Sequence, residues 1–336
     1  MKILLTGGAG YIGTHTLVEL LKDKHEVLIV DNFSNSSTIA LDRVRSITGC
    51  DFEICDGDIR NKDTINQLFQ RFKPDAVLHF AGLKSVSESV ANPIAYYDVN
   101  VCGTLEILKA MKKVNCQKII FSSSATVYGE PKYLPYDEYH PRNPTNPYGM
   151  SKLVVENLLN DWVKSNPENR AVCLRYFNPV GAHRSGLIGE DPQGIPSNIM
   201  PYISQVAVKK VPYLNIFGDN YTTRDGTGER DYIHVVDLAI FHVKALEKIL
   251  DLKPFQALNL GTGNSTTVKE LVKAFEDTSR EKIKIKIVNS RSGDVAKSWA
   301  NSSLAEEALG YKCKFSILDM CRDAWRWQSR NPSGYK

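Results

Sequence analysis

The first half of the chain alternates short apolar runs with longer amphipathic stretches. The apolar runs predict strands at Lys2–Leu5, Val27–Val30, Phe52–Cys55, Ala76–Phe80, Lys118–Ser122 and Ala171–Tyr176. The amphipathic stretches predict helices at Ile12–Leu21, Asp63–Phe72, Ala95–Lys113 and Tyr148–Lys164. Strands that alternate with helices form βαβ units, and uniformly apolar strands are covered on both faces. The pattern therefore predicts an α/β fold with a doubly wound parallel sheet of the Rossmann type.

The pattern changes after about Tyr176, where loops become longer and richer in Gly, Pro and Asn. We predict a first domain over residues 1–176 and a smaller α/β domain, which covers the ligand, over residues 177–336. Two later runs, Tyr232–Leu238 and Ala257–Gly261, resemble strands that could return to the first sheet. Capping boxes, which mark helix starts, are predicted for Thr64 with Gln67 and for Thr267 with Glu270.

Composition narrows the class of protein. The 336 residues carry a formal net charge of +4, which gives no reason to expect a nucleic-acid or membrane partner. The seven cysteines form no C-x-x-C pair, and the seven histidines form no H-E-x-x-H motif. We therefore expect reduced thiols, no metal site and a cytoplasmic location. The apolar start of the chain ends at Thr6, which is too short for a signal peptide.

A glycine-rich turn connects the first predicted strand to the first helix. Gly7 permits the tight turn, Gly10 lets backbone N–H groups approach a pyrophosphate, and Gly13 allows close packing of helix on strand. The second strand ends in Asp31. Its carboxylate can accept hydrogen bonds from both hydroxyls of the adenosine ribose, and its negative charge would repel a 2′-phosphate. The turn and Asp31 together predict NAD rather than NADP, although Asp31 could also be a turn residue.

Two further features have competing interpretations. Asp58 follows the third strand and could hydrogen-bond adenine or simply cap a helix. The second glycine cluster, Gly261-Thr262-Gly263, has no third glycine and is followed by the predicted capping box. We interpret this cluster as structural rather than as a second phosphate site.

The candidate catalytic residues lie at the carboxyl edge of the predicted sheet. Tyr148 and Lys152 are four residues apart on one helix and therefore share a face. A nearby ammonium and a positive nicotinamide ring would lower the pKa of Tyr148, which makes it a candidate base for a sugar hydroxyl. Ser124, near the end of a strand, could hydrogen-bond the same hydroxyl. A surface Tyr–Lys pair and a turn serine are the alternatives.

Several motifs together resemble the UDP-glucose 4-epimerase family of extended short-chain dehydrogenases/reductases. The resemblance covers essentially the whole chain and rests on Gly7–Gly13, Asp31-Asn32, Phe80–Lys84, Ser122–Gly129, Tyr148–Lys152, Arg175–Ala182, Asp191–Pro196, Gly228–His234 and Trp325–Gln328. It implies an isomerase that inverts carbon 4 of a UDP-hexose. Tyr148 would take the 4-hydroxyl proton while NAD takes the hydride, and the same cofactor would return the hydride to the other face of a 4-keto sugar.

The resemblance also implies binding residues. For the cofactor they are Gly7, Gly10, Tyr11, Ile12, Gly13, Asp31, Asn32, Ser34, Asp58, Ile59, Phe80, Ala81, Gly82, Lys84, Asn100, Ser122, Ser124, Tyr148, Lys152, Tyr176 and Phe177. For the UDP-sugar they are Lys84, Ser124, Tyr148, Asn178, Asn198, Asn215, Phe217, Arg230, Arg291, Asp294 and Ser298. It further implies a homodimer, in which the helices over Ala95–Lys113 and Tyr148–Lys164 pack against the same two helices of the partner subunit.

Two positions depart from the family pattern. The family often carries Asn where this chain has Val99, and the neighbouring Asn100 could serve instead. A tyrosine at the position of Ser298 would close the sugar pocket around carbon 2. The small Ser298 leads to the hypothesis that UDP-N-acetylglucosamine and its galactosamine epimer are substrates too.

Three other functions remain as alternatives. A nucleotide-sugar 4,6-dehydratase places Asp-Glu directly after the hydroxyl residue, whereas Ser124 is followed here by Ala125-Thr126. A non-catalytic NAD-binding protein could dispense with the base, yet Tyr148, Lys152 and Ser124 are all present. A plain alcohol dehydrogenase would exchange its cofactor freely.

Overall fold

The computed structural model describes residues 1–192, 194, 196, 198–290 and 295–336. The strands of these residues are β1 Lys2–Thr6, β2 Glu26–Asp31, β3 Glu53–Asp56, β4 Ala76–His79, β5 Lys118–Ser124, β6 Arg170–Tyr176, β7 Asn178–Val180, β8 Leu214–Phe217, β9 Glu229–His234, β10 Phe255–Leu260, β11 Ser265–Thr267, β12 Ile285–Val288 and β13 Lys297–Ser298.

The α-helices are α1 Tyr11–Lys22, α2 Thr38–Thr48, α3 Lys62–Phe72, α4 Val86–Ala91, α5 Pro93–Tyr97, α6 Gly103–Lys113, α7 Pro147–Lys164, α8 Ile199–Ala207, α9 Val235–Lys248, α10 Val268–Ser279, α11 Ser303–Leu309 and α12 Ile317–Arg330. A π-helix spans Asp98–Cys102 and a 3₁₀-helix spans Ala125–Val127. Within the described part of the chain, no helix is both long and apolar enough to cross a bilayer.

Seven parallel strands form the central sheet, in the order β10-β6-β5-β4-β1-β2-β3. Alternate residues of one strand supply opposite faces, so Ile3 and Leu5 belong to one core cluster and Leu4 to another. The first cluster includes residues of α1 and α9, and the second includes residues of α3, α6 and α7. The predicted doubly wound α/β sheet with helices on both faces is confirmed.

The second half of the chain adds smaller sheets. In one of them β9 lies between β11 and β13 and also pairs with β7, and in another β8 pairs with β12. The return of Ala257–Gly261 to the first sheet is confirmed, since β10 pairs with β6. The return of Tyr232–Leu238 is wrong. Residues up to His234 belong to β9 of the smaller sheet, and helix α9 starts at Val235.

Two helix predictions are also corrected. Helix α3 is capped by Asn61, whose side chain accepts from the N–H groups of Asp63 and Thr64, so the capping box at Thr64 is wrong. The single helix predicted for Ala95–Lys113 is interrupted by the π-helix before α6 begins. The capping box of Thr267 with Glu270 is confirmed at the start of α10.

Candidate active site

The glycine-rich turn brings the start of α1 against the central sheet. Gly7 has φ +68°, and a Cβ there would lie 2.6 Å from the nitrogen of Ala81. A Cβ on Gly13 would lie 2.4 Å from the carbonyl oxygen of Gly7. Gly10 is the N-cap of α1 and provides no side-chain cap. The first N–H groups of α1 therefore have no side-chain acceptor from that position, as an anion site requires.

Asp31 lies next to this turn, at the end of β2. Its carboxylate accepts hydrogen bonds from the N–H groups of Ala9 (3.0 Å) and Phe33 (3.0 Å) and from the hydroxyl of Ser36 (2.8 Å). A carboxylate has about four acceptor positions, so one remains for a ligand hydroxyl. The alternative role of turn residue also applies, because Asp31 bridges two turns through these contacts.

Asn32, Ser34 and Asp58 form one polar group beside Asp31. Asn32 donates to Asp58 at 3.2 Å and accepts from the hydroxyl of Ser34 at 2.8 Å. The Arg60 guanidinium forms a bidentate ion pair with Asp58, which lowers the pKa of that carboxyl to about 2. Ile59, the next residue, is buried against Gly103, where a Cβ would lie 2.5 Å from the Ile59 Cδ1 atom.

Tyr148, Lys152 and Ser124 meet at the carboxyl end of β5. Ser124 lies close enough to the Tyr148 hydroxyl to lower its pKa, and it accepts from the Thr126 hydroxyl at 2.9 Å. The ammonium of Lys152 donates to the carbonyl of Ser122 at 2.8 Å and lies 5.9 Å from the centre of the Tyr148 ring. Asn146 caps α7 and fixes where the helix presents these side chains. The predicted constellation is therefore assembled.

The charges at this constellation differ from the expectation in one respect. Burial raises the pKa of Tyr148, and the hydrogen bond from Ser124 opposes that rise only in part. Burial also lowers the pKa of Lys152 to about 8. Lys152 does not offset the effect of burial, so the Tyr148 pKa lies above its ordinary value instead of below it as expected.

Asn100 lies in the π-helix and is buried. Its side-chain oxygen accepts from the N–H of Leu83 at 2.8 Å, while its NH₂ group donates to the carbonyl of Leu83 and to the hydroxyl of Ser151. A Cβ on Gly82 would lie 2.9 Å from the Asn100 oxygen and 3.7 Å from the Lys152 ammonium. Asn100 therefore holds the Phe80–Lys84 segment close to Lys152.

Tyr176 and Phe80 meet on the opposite side of the edge. His242 hydrogen-bonds the Tyr176 hydroxyl, and the Phe80 ring lies 4.7 Å from the His242 ring. Burial lowers the pKa of His242 to about 4, so the ring is neutral. The Tyr176 hydroxyl is thus committed to a protein partner. Phe177, the next residue, packs in a separate apolar cluster with Tyr136.

Residues of the two halves of the chain converge on Glu190, which sequence reasoning missed. The ammonium of Lys84 donates to its Oε1 atom at 2.9 Å, and the Asn198 side chain donates to the same atom at 2.7 Å. The Tyr11 hydroxyl donates nearby to the carbonyl of Gly181. Glu190 directly precedes the Asp191–Pro196 motif in the sequence, and only the folded chain shows that it is buried beneath Lys84 and Asn198.

The remaining predicted substrate residues lie mostly on the smaller sheets. Ser298 in β13 is paired with Arg230 in β9, and the Arg230 guanidinium donates to the carbonyl of Ala296 at 3.3 Å. Asn178 begins β7, while Asn215 and Phe217 are half-buried in β8. Arg291 and Asp294 lie outside the described residues. Among those that are described, no three His, Cys, Asp or Glu side chains are grouped to hold a metal ion.

Comparisons with known proteins match the chain to enzymes that act on nucleotide-linked sugars. A family model described as GDP-mannose 4,6 dehydratase matches residues 4–324. UDP-glucose 4-epimerase of Bacillus subtilis (strain 168) is 51% identical over 336 residues, which cover 100% of this chain and 99% of the relative.

Solved structures agree as well. UDP-glucose 4-epimerase from Bifidobacterium longum, in complex with NAD+ and UDP, is 50% identical with a TM-score of 0.97, covering 99% of this chain and 100% of that chain. The UDP-Glc/GlcNAc 4-epimerase from Campylobacter jejuni is 36% identical with a TM-score of 0.85, covering 98% and 99%.

Proposed function

The chain belongs to the UDP-glucose 4-epimerase family, and from this premise we propose that it interconverts UDP-hexoses at carbon 4 with NAD as a retained catalyst. The observation that carries the proposal is the convergence of Tyr148, Ser124 and Lys152 beside the glycine-rich turn. Tyr148 is the acid and base, Ser124 orients the reacting hydroxyl, and Lys152 supplies positive charge.

The residues present fit NAD. The close approach at Gly7 and Gly13 leaves a backbone cradle at the start of α1, where a pyrophosphate is stabilised. Asp31 retains an acceptor position for an adenosine ribose hydroxyl. Asn100 and Gly82 shape the space beside Lys152. When bound, NAD supplies a reversible acceptor for the hydride of carbon 4.

The chain's own residues then move the proton. Tyr148 receives the proton of the sugar 4-hydroxyl, and Ser124 stabilises the phenolate through its hydrogen bond. Because burial raises the pKa of Tyr148, proton removal depends on the additional positive charge that the loaded site provides. A 4-keto sugar would then turn about its diphosphate linkage, so that the hydride would return from bound NAD to the opposite face of carbon 4 while Tyr148 returns the proton to the 4-oxygen.

The UDP part is held by the second half of the chain. Arg230 and the undescribed Arg291 suit a diphosphate, because a guanidinium is planar and permanently charged. Asn178, Asn198, Asn215 and Phe217 complete the nucleotide site, to which the family resemblance also assigns Asp294. Lys84 and Asn198 share Glu190 as an acceptor, so both must reorganise around this carboxylate when phosphates enter.

The test supplies UDP-glucose without added NAD and resolves the epimers by proton NMR. Formation of UDP-galactose supports the proposal and shows that the cofactor is retained. A product lighter than the substrate by one water would instead support the 4,6-dehydratase alternative, which the Ala125-Thr126 sequence after Ser124 argues against. Steady accumulation of NADH with added NAD would support a plain dehydrogenase. The absence of any reaction would support a non-catalytic NAD-binding protein.

We further propose that UDP-N-acetylglucosamine and UDP-N-acetylgalactosamine are substrates. Ser298 is small and half-buried, and it lies beside Arg230. The family resemblance puts this position at the wall of the sugar pocket near carbon 2, where a serine leaves volume that a tyrosine would fill. The similar protein from Campylobacter jejuni is named a UDP-Glc/GlcNAc 4-epimerase. The Ser298→Tyr variant should lose roughly 100-fold or more in kcat/KM for the N-acetyl pair, because a tyrosine fills that volume. For UDP-glucose, kcat/KM should change less than about threefold.

The measurement compares both substrate pairs with both enzymes by NMR, with Ser298→Ala as the control. Ser298→Ala should keep both activities, since it preserves the volume. If wild-type enzyme epimerises UDP-glucose and never the N-acetyl sugars, the pocket argument is wrong and the epimerase assignment stands.

We propose that the chain is a homodimer. Val90 and Ile94, in α4 and α5, are 64% and 80% exposed, and these helices lie next to α7. Large apolar side chains at such exposure suit an interface that buries them. Ile94→Glu should shift the sedimentation coefficient from a dimer to a monomer. Leu250→Glu, which changes another apolar residue of 63% exposure outside this surface, should leave the dimer intact. A dimer in both variants would contradict the proposed surface.

We also propose a cytoplasmic location and a division of roles near residue 176. All seven cysteines are free thiols, which suits a reducing compartment. The cofactor residues lie mostly in residues 1–176, and the UDP residues lie mostly in residues 177–336. Strand β10 belongs to the first unit in space although it comes late in sequence.

A further inference from the structure

The carboxylate of Asp231 lies at the centre of a hydrogen-bonded junction in β9. It is fully buried and accepts four hydrogen bonds: from the N–H (2.8 Å) and hydroxyl (2.7 Å) of Thr262, from the N–H of Gly263 (3.0 Å) and from the N–H of Ala300 (3.1 Å). Three of the donors are backbone groups. The carboxylate therefore ties two separate segments of main chain to β9.

The first segment is the glycine cluster interpreted above as structural. A Cβ on Gly261 would lie 2.4 Å from the Asp231 Oδ2 atom, and Gly263 has φ +75°. The cluster is therefore shaped around a carboxylate of the chain itself. This contact explains why its glycines are needed although it is not a phosphate-binding turn.

The second segment is the short strand that carries Ser298. Strand β13 contains only two residues, and it pairs with Glu229 and Arg230. On its far side, the carbonyl of Trp299 accepts from the N–H of Tyr136 at 3.0 Å. The N–H of Asn301 donates to the carbonyl of Tyr136 at 2.7 Å, and the bond from Ala300 to Asp231 adds a fixed point to β9 two residues beyond Ser298.

We propose that Asp231 is a positioning residue that sets the wall of the sugar pocket. Its carboxylate fixes the segment from Ala296 to Ala300 relative to β9, and so fixes the distance between Ser298 and Arg230. Asp231 contacts no substrate and acts only through these two residues. The inference rests on the proposed function, because Ser298 has to border the sugar for the wall to affect substrate choice.

The test uses Asp231→Asn in an enzyme whose pocket has first been closed by Ser298→Tyr. The amide that replaces the carboxylate presents its own N–H groups to backbone N–H donors, so at least one of the four bonds is lost and the wall loosens. The double variant should recover at least about tenfold in kcat/KM for UDP-N-acetylglucosamine over Ser298→Tyr alone, since about 1.4 kcal/mol of relieved strain corresponds to tenfold.

Asp237→Asn in the same background is the matched control. Asp237 is also fully buried and accepts from the Tyr311 hydroxyl (2.7 Å) and from the N–H groups of Lys314 (3.1 Å) and Phe315 (3.2 Å). These partners lie outside β13 and the glycine cluster. The control should lower the melting temperature comparably and recover no N-acetyl activity.

The outcomes are distinguishable. The proposal is supported if Asp231→Asn, but not Asp237→Asn, restores kcat/KM for UDP-N-acetylglucosamine in the Ser298→Tyr background. No recovery, or equal recovery with Asp237→Asn, overturns it. If Ser298→Tyr does not block the N-acetyl sugars, the proposed pocket fails. Positioning is then judged by the KM for UDP-glucose, which should rise at least about tenfold in Asp231→Asn and not in Asp237→Asn, and equal KM values overturn it. If Asp231→Asn does not fold, Thr262→Val replaces it, because it removes a single side-chain donor, with the same criteria.

Discussion

Replacing Tyr148 with Phe should lower the kcat of epimerisation by about 10³-fold, which lies within the range for loss of a general acid–base group. Phenylalanine keeps the ring and removes the hydroxyl that lies beside Ser124. The KM for UDP-glucose should change little, because the hydroxyl provides one contact among many. Proton NMR of the epimer ratio over time gives kcat directly, and the ultraviolet spectrum of the purified variant reports retained cofactor.

Tyr96→Phe is the matched control for this result. The Tyr96 ring lies 6.4 Å from the Tyr148 ring in an edge-on arrangement, and its hydroxyl donates to Glu88 at 3.1 Å. The same atom is therefore removed close to the site but away from Ser124. This variant should retain kcat within a few-fold. A Tyr148→Phe enzyme that keeps more than about a tenth of the wild-type kcat would show that another group moves the proton.

Replacing Glu156 with Gln should lower the free energy of unfolding by about 3–5 kcal/mol, the cost of leaving a buried charge without its partner. Arg175 donates to Glu156 through Nε at 2.8 Å and Nη2 at 2.7 Å, and both side chains are almost fully buried. The Ser123 hydroxyl and Arg142 also donate to this carboxylate. An amide cannot accept hydrogen bonds from all these donors, and the Arg175 charge would remain buried without a negative partner. Urea unfolding followed by circular dichroism measures the change.

Asp161→Asn on the same helix α7 provides the comparison. Its ion pair with Lys164 has an N···O distance of 3.3 Å, and both side chains are mostly exposed. Exposed pairs contribute roughly 0–1 kcal/mol, so this variant should unfold almost like wild type. Equal destabilisation of the two variants would mean that burial of the Glu156 pair is not the cause.

The features that sequence predicts well are those that depend on a few neighbouring residues. The glycine-rich turn, the strand ending at Asp31 and the pair of Tyr148 with Lys152 all follow from spacing within one strand, turn or helix. The edge of the sheet then brings Ser124 to this pair, because parallel strands end together. The central sheet and the grouping of Tyr148, Lys152 and Ser124 could therefore be predicted.

The features that sequence missed depend on distant partners. Asn61 rather than Thr64 caps α3, since both residue types accept N–H donors and only the backbone path decides between them. The run after Tyr232 is apolar enough for a strand of the central sheet, yet β9 pairs with β7 and β11 instead. Glu190 has an ordinary loop position in the sequence, and its contacts with Lys84 and Asn198 form only in the folded chain.

The late return of β10 to the central sheet has a consequence for how the chain is made. Strand β6 pairs on one side with β5 and on the other with β10, so its second edge stays open until Leu260 has left the ribosome. An open edge of a parallel sheet is a template for intermolecular pairing. The nascent first half therefore depends on the rest of the chain for protection from aggregation, and a fragment ending at Tyr176 would expose that edge permanently.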